Sequence, residues 1–197
     1  MEPLYAAVVH GCLAGRHQEA LVGVWQDRIM RRNEQFAIEK LGAHSQNLAM
    51  FASFFEPPWE NLVDGLSPSV QACVWNHAGY ALGALGRLGE AMSCMVFGIK
   101  CDLVCRNWPN AARSASDVAV ILLASGLLAE ALDTAWKSIE LADLAGEPLE
   151  RLGNRTTLAA VLHALGQLEE ARDVYVNVAQ LQISKLVGDG LFHSVQG

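Results

Sequence analysis

The hydrophobic and polar positions of the chain repeat with a long period. Four eight-residue segments share one pattern, with a glycine in third place and Glu-Ala at the end; they cover 13–20, 84–91, 124–131 and 164–171. The glycines of the last three segments, Gly86, Gly126 and Gly166, lie 40 residues apart. A fixed period of this length is typical of proteins built from stacked structural repeats.

Each copy predicts a pair of helices joined by a tight turn. Before the glycine, apolar residues recur at helical spacing, as at Ala78, Leu82 and Leu85. The glycine suits the left-handed residue that ends a helix, and the glutamate that follows favours the first turn of a second helix because of the helix dipole. The alanine after that glutamate, as at Ala91, is small enough to let the second helix pack closely on the first.

The stretch between the first two copies predicts a degenerate repeat. Apolar residues favour one helix over roughly 35–54. Pro57-Pro58-Trp59 would end that helix, and a short helix is expected around Glu60–Asp64. We interpret this stretch as a degenerate repeat, so five helical pairs are expected in order along the chain.

These features resemble the tetratricopeptide repeat, which has a small residue in its first helix, a glycine at the turn and an alanine early in its second helix. The matching residues are Gly79, Gly86 and Ala91; Ala119, Gly126 and Ala131; Ala159, Gly166 and Ala171; and Trp75 as the opening aromatic. The 40-residue period is longer than the family's 34, and the usual closing proline is missing, so HEAT-type repeats are the alternative. The chain also resembles the repeat arrays of bacterial multidomain signalling ATPases, although no P-loop is found in it.

The predicted fold is all-α, a right-handed superhelical solenoid of helical hairpins that forms a single array over 1–197. We expect repeats at about 4–32, 34–66 (degenerate), 69–106, 109–146 and 149–184, with 185–197 as the start of an incomplete repeat. The apolar flank of the last pair would carry Val174, Val178, Leu181 and Ile183. Without a polar capping helix this flank is expected to drive self-association into a homo-oligomer.

Composition and charge narrow the classes of partner. Hydrophobic residues make up 52% of the chain and charged residues 18%, which excludes a disordered chain. The net charge of −7 disfavours nucleic acid and anionic membranes as partners. The N-terminus lacks a signal-peptide pattern, and five cysteines are an odd number, so we expect reduced thiols and a cytoplasmic protein.

Catalytic and metal-binding patterns are weak. Cys101 and Cys105 lie one helical turn apart, but a zinc site needs four ligands and no histidine lies near them, so ordinary packing is the favoured interpretation. The six histidines show no metal-ligand spacing. Arg31 and Arg32 belong to a small basic cluster that suits the end of a helix, with a docking role as the alternative. We therefore expect no enzyme, no cofactor and no metal.

The predicted binding residues are polar and aromatic positions in the first helices of the pairs. They are Asn76, Tyr80, Arg113, Ser116, Thr156 and His163. Asn76, Ser116 and Thr156 coincide when copies are shifted by 40 residues, and the resemblance implies that first helices line a concave groove. Bridging between helices is the alternative role. The expected function is a non-enzymatic scaffold or sensor that binds a peptide or protein segment; the alternative is a ligand-sensing array of a transcriptional or signalling regulator.

Overall fold

The computed structural model describes residues 1–180, apart from the side chain of Asn33. Over this part of the chain the fold is all-helical, as predicted, with one isolated antiparallel bridge between Phe55 and Leu62 and no strand. The chain divides into two compact units, the first ending at Arg106 and the second beginning at Asn107.

The first unit contains six α- or π-helical elements and two short 3-10 turns, Arg32–Glu34 and Ala52–Phe54. The helical elements are α1 (Glu2–Leu13), α2, which begins as an α-helix (His17–Glu19) and continues as a π-helix (Ala20–Ile29), α3 (Phe36–Glu39), α4 (His44–Phe51), α5 (Pro68–Ala84) and α6 (Leu88–Val104). Helix α1 packs on α2 and α4, α4 packs on α5, and α5 and α6 form a long hairpin. Trp25, Phe51 and Phe54 are among its largest fully buried side chains. Aromatic burial therefore anchors the shorter helices against α5.

The region predicted as one helix over 35–54 is divided, and that prediction is wrong. Gly42 adopts a left-handed conformation (φ +57°) between α3 and α4, and a short 3-10 turn, Ala52–Phe54, follows α4. The short helix expected around Glu60–Asp64 is also absent. There the backbone instead pairs across the corner, with the Val63 N–H donating to the Phe54 carbonyl at 3.0 Å. A chain that folds back on itself in this way cannot form helical hydrogen bonds.

The second unit contains three complete helices and one helical segment that reaches the end of the described residues. These are α7 (Trp108–Ala124), α8 (Leu128–Ala145), α9 (Pro148–Ala164) and α10, which is described over 168–180. Helix α8 packs on α7 and on α9, and α7 also contacts α9. The helices thus pack consecutively, which is compatible with a helical repeat.

The glycine turns and the small alanines have the predicted roles. Gly86, Gly126 and Gly166 have φ values of +79°, +75° and +78°, directly after the helices that they end. The three repeat alanines, Ala91, Ala131 and Ala171, are buried. In the first unit a Cβ atom placed on Gly79 would lie 3.1 Å from the Ala91 carbonyl oxygen, which shows how closely α5 and α6 approach.

The apolar flank predicted at the end of the array is only partly described. Val174 is half-buried and Val178 is buried. Leu181, Ile183 and the incomplete repeat at 185–197 lie outside the described residues. Within residues 1–180, none of the helices combines the length and the apolar character needed to cross a membrane.

Candidate functional site

Four of the six predicted binding residues lie on two helices of the second unit. Arg113 and Ser116 belong to α7, and Thr156 and His163 belong to α9. The other two predicted residues, Asn76 and Tyr80, belong to α5 of the first unit and are described separately below. We use the name α7–α9 face for the surface formed by Arg113, Ser116, Asp117, Glu150 and Thr157.

The sequence of α7 explains why Arg113 points outward. The neighbouring alanines, Ala112 and Ala115, are buried against the other helices of the unit, and so is Val118. Arg113 lies on the other side of the helix, where Val120, seven positions later, is also exposed. A proline in the first turn of α7 and another in the first turn of α9 favour the start of each helix. Because the apolar side of α7 is buried, Arg113 lies on the exposed side of the helix, where it can reach α9.

An ion pair crosses the two helices. The Arg113 guanidinium donates a hydrogen bond to a Glu150 carboxylate oxygen. The Arg113 side chain is 53% exposed, whereas that of Glu150 is 12% exposed. Glu150 also lies in the first turn of α9, where the helix dipole stabilises a negative charge. The pair thus holds an accessible cation beside a largely covered anion.

Asp117 adds a second carboxylate one helical turn after Arg113. Burial raises the pKa of Asp117 to about 6, Arg113 acts in the opposite direction, and the negative charge of Glu150 raises the pKa further. This carboxyl group therefore changes its charge in the mildly acidic range. At neutral pH the three side chains together carry one net negative charge.

Hydroxyl groups make the next contact between α7 and α9. The Ser116 and Thr157 hydroxyl oxygens lie 2.8 Å apart and share a hydrogen bond. Thr156, the residue related to Ser116 by the 40-residue period, is exposed and donates to the Leu152 carbonyl of its own helix at 3.0 Å. The structure therefore brings Ser116 to Thr157 and leaves the Thr156 side chain facing solvent.

His163 lies near the end of α9 and is exposed. It lines an open, mainly apolar cavity of about 510 Å³ together with Leu168, Tyr175 and Val176 of α10. His163 is separated from Thr156 by two turns of α9. It extends the accessible surface of α9 beyond the ion pair and the hydroxyl contact.

The Asn76 side chain lies between the two helices of the α5–α6 hairpin. Its Nδ2 donates to Asp102 Oδ2 at 2.6 Å, and Asp102 is fully buried. Tyr80 lies one turn further along α5, is 42% exposed, and has its ring 5.7 Å from that of His44. Asn76 thus makes the interhelical bridge that was the alternative to groove lining, and Tyr80 presents an aromatic surface to solvent. The part of both residues in partner binding stays a prediction.

The sequence reasoning did not include Asp117, Glu150 or Thr157. A signal for two of them was present, because Asp117 and Thr157 are related by the same 40-residue shift that selected Ser116 and Thr156. One-residue differences in helical phase decide which of two neighbouring polar residues faces the other helix. The 40-residue period identifies equivalent positions on α7 and α9. Which of two neighbouring residues contacts the other helix depends on how α7 packs on α9.

The described residues define the class as an all-helical protein with consecutively packed helices, and the α7–α9 face combines an exposed arginine with a largely covered carboxylate. Among the described residues, no group of three or more His, Cys, Asp or Glu side chains lies close enough to hold a metal ion. Comparisons with protein-family models and with curated proteins give no match to the chain.

Proposed function

We propose that this protein is a non-enzymatic recognition module that binds an extended protein segment on its α7–α9 face. The helix pairs would belong to a tetratricopeptide-like array in the cytoplasm, with the right-handed superhelix and the groove-lining first helices that the resemblance implies. The partner would be a peptide or a protein segment.

The observation that carries the proposal is the exposed Arg113 guanidinium held in place by Glu150. An arginine has five N–H donors in a planar fork, and the ion pair uses only part of them. The remaining donors face solvent, since half of the side chain is exposed. A carboxylate of the partner would bind to those donors with charge-assisted hydrogen bonds.

The accessible side of α9 adds polar groups that suit an extended backbone. Thr156 places a hydroxyl group on the accessible side of α9, and His163 adds a ring two turns away. Such polar groups, spaced along one helix, accept and donate hydrogen bonds to successive peptide groups of an extended segment. The negative charge of Asp117 and Glu150 would select against partners with several carboxylates near the Arg113 site.

The test uses a peptide library displayed on phage and selected on the whole chain. The selected peptides are then synthesised, labelled, and titrated by fluorescence anisotropy against the unaltered protein and the Arg113→Ala variant. A matched control is Lys137→Ala, which removes an exposed, ion-paired cation from α8. We expect Arg113→Ala to weaken binding about tenfold, the effect of a binding hot spot, and Lys137→Ala to leave it unchanged.

Circular dichroism distinguishes a loss of contact from a loss of fold. Arg113→Ala should keep the helical content, but its melting temperature should be somewhat lower, because the Glu150 side chain is only 12% exposed and loses its counter-charge. Equal binding by Arg113→Ala and the unaltered protein would refute the α7–α9 face as the binding surface. Equal weakening by both variants would show that the peptides respond only to net charge.

A further inference from the structure

A small polar cavity lies in the first unit at the end of α2, separate from the α7–α9 face. It has a volume of about 290 Å³. Its lining includes Trp25, Asp27, Met30, Arg32 and His77. This volume is at the lower end of the range for ligand sites in proteins, which begins at about 300 Å³. A cavity of this size fits a small metabolite and is too small for a folded partner.

The backbone around the cavity has an unusual conformation on both sides. The π-helical part of α2 ends with the Met30 N–H donating to the Trp25 carbonyl at 2.8 Å, a bond that spans five residues. Arg31, Arg32 and Gln35 then follow with φ values of +53°, +55° and +49°. Left-handed conformations are uncommon for residues other than glycine, and they occur often at binding sites. This backbone turns Arg32 back towards α2.

The inner wall of the cavity is aromatic and fixed. The Trp25 indole nitrogen donates to Asn47 Oδ1 at 2.8 Å, so the indole ring is held in one orientation. The His77 ring lies 4.6 Å from the Trp25 ring and is parallel to the Phe51 ring at 6.1 Å. Trp25 is 1% exposed, so it closes the inner end of the cavity, and the partly exposed His77 ring that packs on it is the preformed aromatic surface open to a ligand.

The mouth of the cavity carries one charge of each sign. Arg32 Nε donates to Asp27 Oδ1 at 3.0 Å, with the two side chains 77% and 40% exposed. A ligand with a single charge would be attracted by one of these groups and repelled by the other. A ligand that carries an ammonium group and a carboxylate group on neighbouring atoms would pair with both. Its ammonium group would bind to Asp27 and its carboxylate group to the fork of Arg32.

From this arrangement we infer that the cavity is a binding site for a small zwitterion of the free amino acid class. The charged ends of the amino acid would bind to Asp27 and Arg32, and its side chain would lie over the partly exposed Gln26, Gln35 and His77, because Trp25 and Met30 are only 1% and 3% exposed. The site goes beyond peptide recognition on the α7–α9 face, because it uses other residues in the other unit and takes a different class of ligand.

The experiment is isothermal titration calorimetry of the whole chain with each of the common L-amino acids. We expect at least one to bind with a dissociation constant of about 1 mM or tighter. For that amino acid, Asp27→Asn and Arg32→Gln should each weaken binding about tenfold or more, since each removes a hydrogen bond to a charged group. The matched control is Arg28→Gln, which removes a nearby positive charge that is not part of the cavity lining. This variant should bind like the unaltered protein.

Two further measurements make the result decisive. The N-acetylated and the carboxamide forms of the same amino acid each lack one charge, and each should bind about tenfold more weakly than the zwitterion. Thermal melts of all three variants should agree, since Asp27, Arg28 and Arg32 are exposed. The inference is overturned if no L-amino acid binds at this affinity, if Asp27→Asn and Arg32→Gln bind like Arg28→Gln, or if the N-acetylated form binds as tightly as the zwitterion.

Discussion

Replacement of Gly98 by alanine tests the packing of the α5–α6 hairpin directly. A Cβ atom on Gly98 would lie 1.8 Å from Asn76 Oδ1 and 2.7 Å from Asn76 Cγ, so the Asn76 side chain would have to move. Its movement breaks the 2.6 Å hydrogen bond from Asn76 Nδ2 to the buried Asp102 carboxylate. The alanine thus costs both packing and a buried hydrogen bond.

The magnitude follows from these two losses and one gain. Removal of the hydrogen-bond partner of a buried polar group costs about 1 to 3 kcal/mol, and overpacking costs about 1 to 3 kcal/mol. Replacement of a helical glycine by alanine returns roughly 0.5 to 1 kcal/mol. We therefore expect Gly98→Ala to lower the free energy of unfolding by roughly 1 to 5 kcal/mol.

Urea unfolding followed by circular dichroism measures this difference. Gly89 belongs to the same helix and has no atom within 4 Å of the position that a Cβ would occupy, so Gly89→Ala is the matched control and should be neutral or slightly stabilising. In an Asn76→Ala background the added methyl group of Gly98→Ala should cost less, because the closest contacts are gone. Equal stability of Gly98→Ala and Gly89→Ala would refute the described packing, and so would additive effects of Asn76→Ala and Gly98→Ala.

Three other predictions follow from the burial of particular side chains. Ala131→Leu should destabilise the second unit by about 1 to 3 kcal/mol through overpacking, whereas Ala129→Leu, at an exposed position, should not; melting temperatures check this difference. Burial raises the pKa of Asp117 to about 6 in the folded protein. The free energy of unfolding should therefore fall by roughly 2 to 3 kcal/mol as the pH rises from 4 to 7. Urea titrations measure this loss, and the Asp117→Asn variant should not show it. The Cys105 thiol is exposed and should react quickly with Ellman's reagent, whereas Cys94, with a pKa raised by burial to about 12, should react only after unfolding.

The repeat period allowed most of the helical hairpins to be predicted from the sequence. Gly86 and its equivalents mark real helix ends, since they take the left-handed conformation that the pattern requires, and Ala91 is buried as expected. Both signals depend on local backbone geometry and on the size of one residue. These properties are readable without knowledge of the tertiary structure.

The segment between the first and second copies could not be predicted in the same way. An apolar face over 35–54 is compatible with one long helix, but Gly42 interrupts it, and aromatic packing of Phe51 and Phe54 determines the path that follows. The π-helical part of α2 also had no signal in the pattern. Its geometry depends on how Trp25 and Met30 fit against the rest of the unit, and a single sequence does not contain this information.

The candidate site also has features that the sequence predicts and features that depend on tertiary packing. The 40-residue shift related Ser116 to Thr156 as equivalent positions of successive copies, and the residue that contacts Ser116 is Thr157, the next position along α9. Glu150 and Arg113 are 37 residues apart, so the 40-residue period does not relate them. Their ion pair depends on the way in which α7 crosses α9. Residue types were therefore predictable, and their partners were not.

The π-helix of α2 has a consequence for changes in chain length. A π-helix holds more residues per turn than an α-helix, so it contains surplus residues relative to an α-helix with the same number of turns. Deletion of one residue within 20–29 would be absorbed by conversion of one wide turn into an α-helical turn, and the residues on either side would keep their orientation. The same deletion in α5, which has no wide turn, would rotate all following side chains by about 100°. Helix α2 is therefore the place in the first unit where natural variants of this chain should differ in length by one residue without loss of the fold.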